Sequence, residues 1–320
     1  MRFTFFKKIN FLIVFFVLST SLNAFAAEPD TKQLMIEAGK YTQEGNFQKA
    51  RETYEKAVKI DPRIKPLMHQ NIGIGYATKG RYQEAINEFN TAVTLNPKDI
   101  MARYNLAQAY QLTGNNEAAI KEYKKIIEIN PKLDWAHFNM GSILSTTGKK
   151  DEAIDAMTAA VKINPSLGPT AYFEIGKIYA ELGVIEASKQ SFEKVVSLNP
   201  KNTAAYNELG LIAMGMNDEK TAVEMFNKAN EIDPLFAESY ANLGALHMAK
   251  KEPEKAIPLF AKALECKPTL DNVVINLATA YRDTKNYKTA LEYAKKAQTM
   301  GNKNAATLIE SIEARLRGEE

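Results

Sequence analysis

Apolar and polar residues in this chain follow a pattern that recurs about every 34 residues. Asp-Pro, Asn-Pro and Lys-Pro steps place prolines at 62, 97, 131, 165, 200, 234 and 268, spaced 35, 34, 34, 35, 34 and 34 residues apart. Aligned on them, the chain divides into eight repeats: 31–64, 66–99, 100–133, 134–167, 169–202, 203–236, 237–270 and 271–304. Residues 65 and 168 fall between repeats. In the first half of each repeat, positions 4, 7, 8 and 11 hold the packing residues, which is the spacing of one face of an α-helix. Position 15 is Gly45, Gly80, Gly114, Gly148 and Gly183, then Asn217, then Lys251 and Lys285. Gly or Asn there suits a residue that closes the first helix in the left-handed conformation. The Asp/Asn-Pro step stops a second helix, because the proline ring disfavours the α conformation at the residue before it. Each repeat therefore predicts a helix, a tight turn and a second helix.

Two small positions let those helices cross closely. Position 8 is Ala38, Gly73, Ala107, Gly141, Gly176, Gly210, Gly244 and Ala278. Position 20 is Ala50, Ala85, Ala119, Ala153, Ser188, Ala222, Ala256 and Ala290. A ring fills position 24 in six repeats: Tyr54, Phe89, Tyr123, Phe192, Phe226 and Phe260. On these residues the chain resembles the tetratricopeptide repeat family over residues 31–304. The resemblance implies an all-α fold, a right-handed α-solenoid superhelix of antiparallel helix pairs whose first helices line a concave groove. It also implies a protein-interaction scaffold rather than a catalyst. Three departures mark the ends and one bend. Glu37 replaces an apolar residue in the first repeat, as suits an end facing water. Ala294 and Asn302 replace the ring and the proline in the last. Residues 305–320 space Leu308, Ile309, Ile312 and Leu316 on one stripe, which predicts a C-terminal capping helix. Pro258 inside a second helix predicts a bend.

By the same resemblance, positions 2, 5, 9 and 12 of each first helix face the groove. That gives candidate partner-binding residues Leu67, Ile74, Met101, Tyr104, Trp135, Phe138, Phe173, Lys177, Asn207, Leu211 and Met214. Trp135, the one tryptophan, falls on this stripe rather than on the packing stripe, where His137 stands instead. Tyr104, Trp135, Phe138 and Phe173 form the expected hot spot for an extended or helical peptide with bulky side chains. The family's clamp for carboxylate tails, Lys at position 5 with Asn at position 9, occurs in no repeat. Asn at position 6 (Asn71, Asn105, Asn139, Asn242, Asn276) is read either as a ligand-backbone contact or as a scaffold bond.

Composition narrows the function classes. The formal charge of +3 comes from Arg2, Lys7 and Lys8, and residues 27–320 carry 38 basic and 38 acidic side chains. Nucleic-acid binding needs an excess of cations to displace counterions, so it is not expected. Residues 1–26 run from a basic start through apolar Phe11–Leu18 to Ala24-Phe25-Ala26, the order of a signal peptide cleaved after Ala26. Export to a bacterial periplasm is the expectation. A membrane tether through an uncleaved segment and a self-associating structural array are the alternatives. The single Cys266 cannot form an internal disulfide and is read as a buried structural thiol. His69, His137 and His247 occupy packing positions, and most carboxylates, in "NEF", "KEYKK" and "FEK", read as a solvated face paired with Lys. No cofactor motif, metal-ligand spacing or nucleophile motif is present, so no catalytic residue is assigned. The expected partner is a protein or peptide.

Overall fold

The computed structural model describes residues 29–318, which form α-helices, short 3-10 segments and the turns and connections between them. The signal-peptide expectation and the proposed cut at Ala26 lie outside the described residues. The chain forms two compact halves, divided between Pro165 and Ser166. The N-terminal half holds α1 (Pro29–Glu44), α2 (Phe47–Ile60), α3 (Lys65–Thr78), α4 (Tyr82–Leu95), α5 (Ile100–Leu112), α6 (Asn116–Ile129), α7 (Asp134–Thr146) and α8 (Lys150–Ile163). The C-terminal half holds α9 (Gly168–Glu181), α10 (Ile185–Leu198), α11 (Thr203–Gly215), α12 (Glu219–Ile232), α13 (Ala237–Ala249), α14 (Pro253–Cys266), α15 (Asp271–Asp283), α16 (Tyr287–Thr299) and α17 (Ala305–Arg317). Within each half, consecutive helices pack on one another, odd helix against following even helix, in the manner of an α-solenoid.

The turn inside each repeat is built by two adjacent residues. Position 15 has positive φ in every repeat, from Gly183 at 73° to Gly45 at 86° and, beyond the glycines, Asn217 at 59°, Lys251 at 57° and Lys285 at 62°. Position 16 then caps the second helix. Asn46, Asn115, Asp218 and Asn286 each accept a hydrogen bond from the backbone N–H three residues on, satisfying a donor that the helix start leaves over. The two lysines hold a conformation that costs an L-residue with a Cβ about 1–2 kcal/mol. Lys251→Gly should therefore raise stability by about 1 kcal/mol even though glycine loses more chain entropy on folding. A lower urea midpoint for this variant would contradict the reading.

The core is a ladder of rings set against glycines. A Cβ on Gly73, Gly210 or Gly244 would lie 2.6 Å from the ring of Phe89, Phe226 or Phe260 respectively. Gly176 meets Phe192 at 2.9 Å, and Gly141 meets the Met157 side chain at 2.8 Å. Close packing thus sets glycine at position 8 in these five repeats, whereas the repeats with Tyr54 and Tyr123 carry Ala38 and Ala107 there. In the last repeat Ala294 leaves that space, and α17 closes the end. Leu308 and Ile312 are buried with Ala294, Ala297 and Ala305, and Ile309 packs half-buried beside them. Leu316 is exposed, so the apolar stripe of α17 stops one turn earlier than its spacing predicts. Gly318, at φ 76°, ends the helix.

Candidate functional site

In the N-terminal half, the groove stripe brings together aromatic residues from neighbouring repeats. Tyr104 on α5 and Trp135 on α7 meet edge to face, centroids 5.0 Å apart with planes at 78°. Behind them Tyr123 stands edge-on to Tyr104 at 6.4 Å. Gln108 donates to the Tyr104 hydroxyl at 2.9 Å, one turn along the same helix. Burial pushes the Tyr104 phenol up, against the Gln108 bond, and burial pushes Tyr123 up further. Tyr104, Trp135, Phe138 and Met101 all remain half-buried. An edge-to-face pair held from behind and open in front is a pre-ordered apolar surface with little rotamer entropy left to lose. Leu67 is half-buried against the first core cluster.

In the C-terminal half, Phe173 on α9 sits edge-on to the core ring Phe192 at 5.3 Å. Lys177, one turn on, places its Nζ 6.0 Å from the Phe173 centroid and 2.7 Å from Glu174 Oε2. A cavity of about 270 Å³ opens beside them, lined by Pro169, Thr170, Phe173, Glu174, Asn199, Asn202 and Ala204. Leu211 is 38% exposed, while Met214 is half-buried against the Phe226 cluster.

Two of the expected groove residues belong to the scaffold. Ile74 is 5% exposed and lies in the core cluster of Phe89 and Leu106. Asn207 is also 5% exposed, and its Oδ1 accepts from Asn242 Nδ2 at 2.8 Å. That bond joins position 5 of one repeat to position 6 of the next, and it gives Asn242 a scaffold role. The side chains of Asn71 and Asn105 are different: Asn71 Oδ1 and Asn105 Nδ2 are buried without a hydrogen-bond partner.

The polar residues on the packing face also depart from the reading above. Glu88 and Glu122, expected on a solvated face, are largely buried and engaged. His69 Nδ1 lies 2.6 Å from Glu88 Oε2, and Arg51 pairs with the other oxygen. Burial pushes the Glu88 carboxyl up, but the bonds from His69 and Arg51 outweigh it and hold the carboxyl below its usual value. In the next repeat Arg103 Nη1 pairs with Glu122 Oε2 at 2.5 Å, and its Nε donates to the Pro97 carbonyl at 2.8 Å. Both pairs join position 4 to position 23. The signal was present in the sequence: glutamate occupies position 23 in the repeats with His69 or Arg103 at position 4. His137 contacts the Pro131 carbonyl at 3.0 Å and His247 contacts Glu252 at 2.8 Å, so each histidine is engaged locally. Cys266 is half-buried rather than buried, its Sγ 3.7 Å from the Pro234 carbonyl, because it ends α14.

A family model described as tetratricopeptide repeat matches residues 41–64, 136–167, 169–202, 203–234, 237–270 and 272–304. A second, described as TPR repeat, matches residues 75–114 and 112–148. Among solved structures, one of MamA protein is 26% identical, covering 53% of this chain and 93% of its own, with a TM-score of 0.50. The C-terminal part of a TPR repeat-containing protein from Cytophaga hutchinsonii is 18% identical over 76% of this chain and 99% of its own, TM-score 0.60. A structure of the APC/C hetero-tetramer Cut9-Hcn1 is 19% identical over 92% of this chain and 58% of its own, TM-score 0.53. The last two speak to the fold alone. No curated protein matches the chain.

Proposed function

We propose, from the premise that this chain belongs to the tetratricopeptide repeat family, that it is a non-enzymatic scaffold that holds a peptide segment of a partner protein. The partner lies along the groove stripe, with its bulky side chains against Tyr104, Trp135 and Phe138. The observation that carries this reading is the half-buried Tyr104–Trp135 pair, with Tyr123 edge-on behind it and Gln108 bonded to the Tyr104 hydroxyl from one turn along α5. A pair whose only task was packing would be covered, as Tyr54, Phe89 and Phe226 are.

The scaffold works in the cell envelope, exported and released after Ala26. Support for this is the order of the first 26 residues: basic, then apolar, then small. Sequencing the amino terminus of the mature protein tests it. Ala27 as first residue is expected, and an intact Met1 would replace release by a tether. The binding reading is tested by affinity capture from an envelope extract, with a Tyr104→Ala/Trp135→Ala chain as the control. A partner retained by the natural chain and absent from the variant is expected. Identical captured sets from two folded proteins would contradict it.

A further inference from the structure

The cavity in the fifth repeat differs chemically from the rest of the groove. Position 6 is asparagine in five repeats but glutamate in the fifth and sixth, Glu174 and Glu208. Glu174 lines the cavity, as does Ala204, which lies one helical turn before Glu208 on α11. Lys177 is already held by Glu174 at 2.7 Å. Glu208 has no ion-pair partner among the described residues and is half-buried. Burial raises its pKa, with Lys177 pulling the other way. Lys201, in the loop between Asn199 and Asn202, is exposed and does not line the cavity. Glu174 is the one carboxylate that lines the cavity, beside the Phe173 ring; Glu208 stands outside the lining, close enough to Lys177 to interact with it, so two carboxylates share one ammonium. A ring and a carboxylate at one mouth are the complement of a cationic side chain. The volume, about 270 Å³, is below the ~300–1,000 Å³ usual for a small-molecule ligand and suits a single side chain.

We propose that this cavity receives a lysine or arginine side chain of a bound peptide, with Glu174 as its anion, Phe173 as its platform, and Glu208 drawing Lys177 away from Glu174. The proposal rests on the peptide-binding reading above and adds the charge of the partner.

Selecting a random peptide display library on the full chain tests it. Peptides enriched on the natural protein should carry Lys or Arg. Replacing that residue by Gln in an enriched peptide should weaken binding about tenfold to the natural chain, and less than about twofold to Glu174→Gln/Glu208→Gln. The glutamines keep the side-chain shape, and an unchanged melting curve verifies the fold. Enriched peptides with no basic residue, or a Gln replacement that weakens both proteins equally, would overturn the proposal while leaving the groove as a peptide site. A library from which the natural chain enriches nothing would remove both.

Discussion

Glu122→Ala should destabilise the chain by about 3–5 kcal/mol, the cost of leaving a buried charge without its partner. The Arg103 side chain is 7% exposed and Glu122's is 12% exposed, and they meet at 2.5 Å. With the carboxylate gone, Arg103 keeps only its bond to the Pro97 carbonyl. A guanidinium does not shed its proton, so the charge cannot be relieved by titration. The chain also supplies the remedy. In the sixth repeat the same two positions hold Tyr206 and Met225, half-buried and uncharged. Arg103→Tyr combined with Glu122→Met should therefore recover most of the loss, since replacing both members of a buried pair by apolar groups is near neutral. Urea unfolding of the single and double variants provides the numbers. A single variant within about 1 kcal/mol of the natural chain would mean that the pair is solvated in solution.

Gly210→Val should cost about 3 kcal/mol or more, although helix propensity slightly favours valine over glycine. A Cβ at Gly210 would lie 2.6 Å from Phe226 Cε1, 2.7 Å from Cδ1 and 2.9 Å from Cζ. Phe226 is fully buried, so its ring has no free volume to enter, and the two helices must part. Gly215, at the end of the same helix, has open space around a Cβ. Gly215→Val thus isolates the propensity effect and should change stability by less than about 0.5 kcal/mol. Equal effects at the two glycines would contradict the ring-on-glycine account.

The repeat organisation was legible because several positions agree at once. Proline at 62 through 268, small residues at positions 8 and 20, and the ring at 24 fix each helix pair without reference to one another. At Lys251 and Lys285 the left-handed turn was not read from the sequence, because neither is Gly or Asn, although the period places both at position 15. Position along a helix gives a face but not the distance to the next repeat, and the groove reading was weaker for that reason. Trp135 and Tyr104 share a stripe, yet their contact depends on how α5 and α7 stack. The same stacking buries Ile74 and joins Asn207 to Asn242. Glu88 and Glu122 were misplaced on the solvent face because each was read alone. Read with position 4, their pairing to His69 and Arg103 was available.

The central claim is that the Tyr104–Trp135 pair serves a partner rather than the core. Comparing Trp135→Ala with the natural chain, for affinity toward a captured partner and for thermal unfolding, tests that division directly. Affinity should fall by about 2 kcal/mol, roughly 30-fold in Kd. The melting temperature should fall by no more than about 4 °C. A variant that melts far lower yet binds its partner as tightly as the natural chain would place Trp135 in the core and contradict the account.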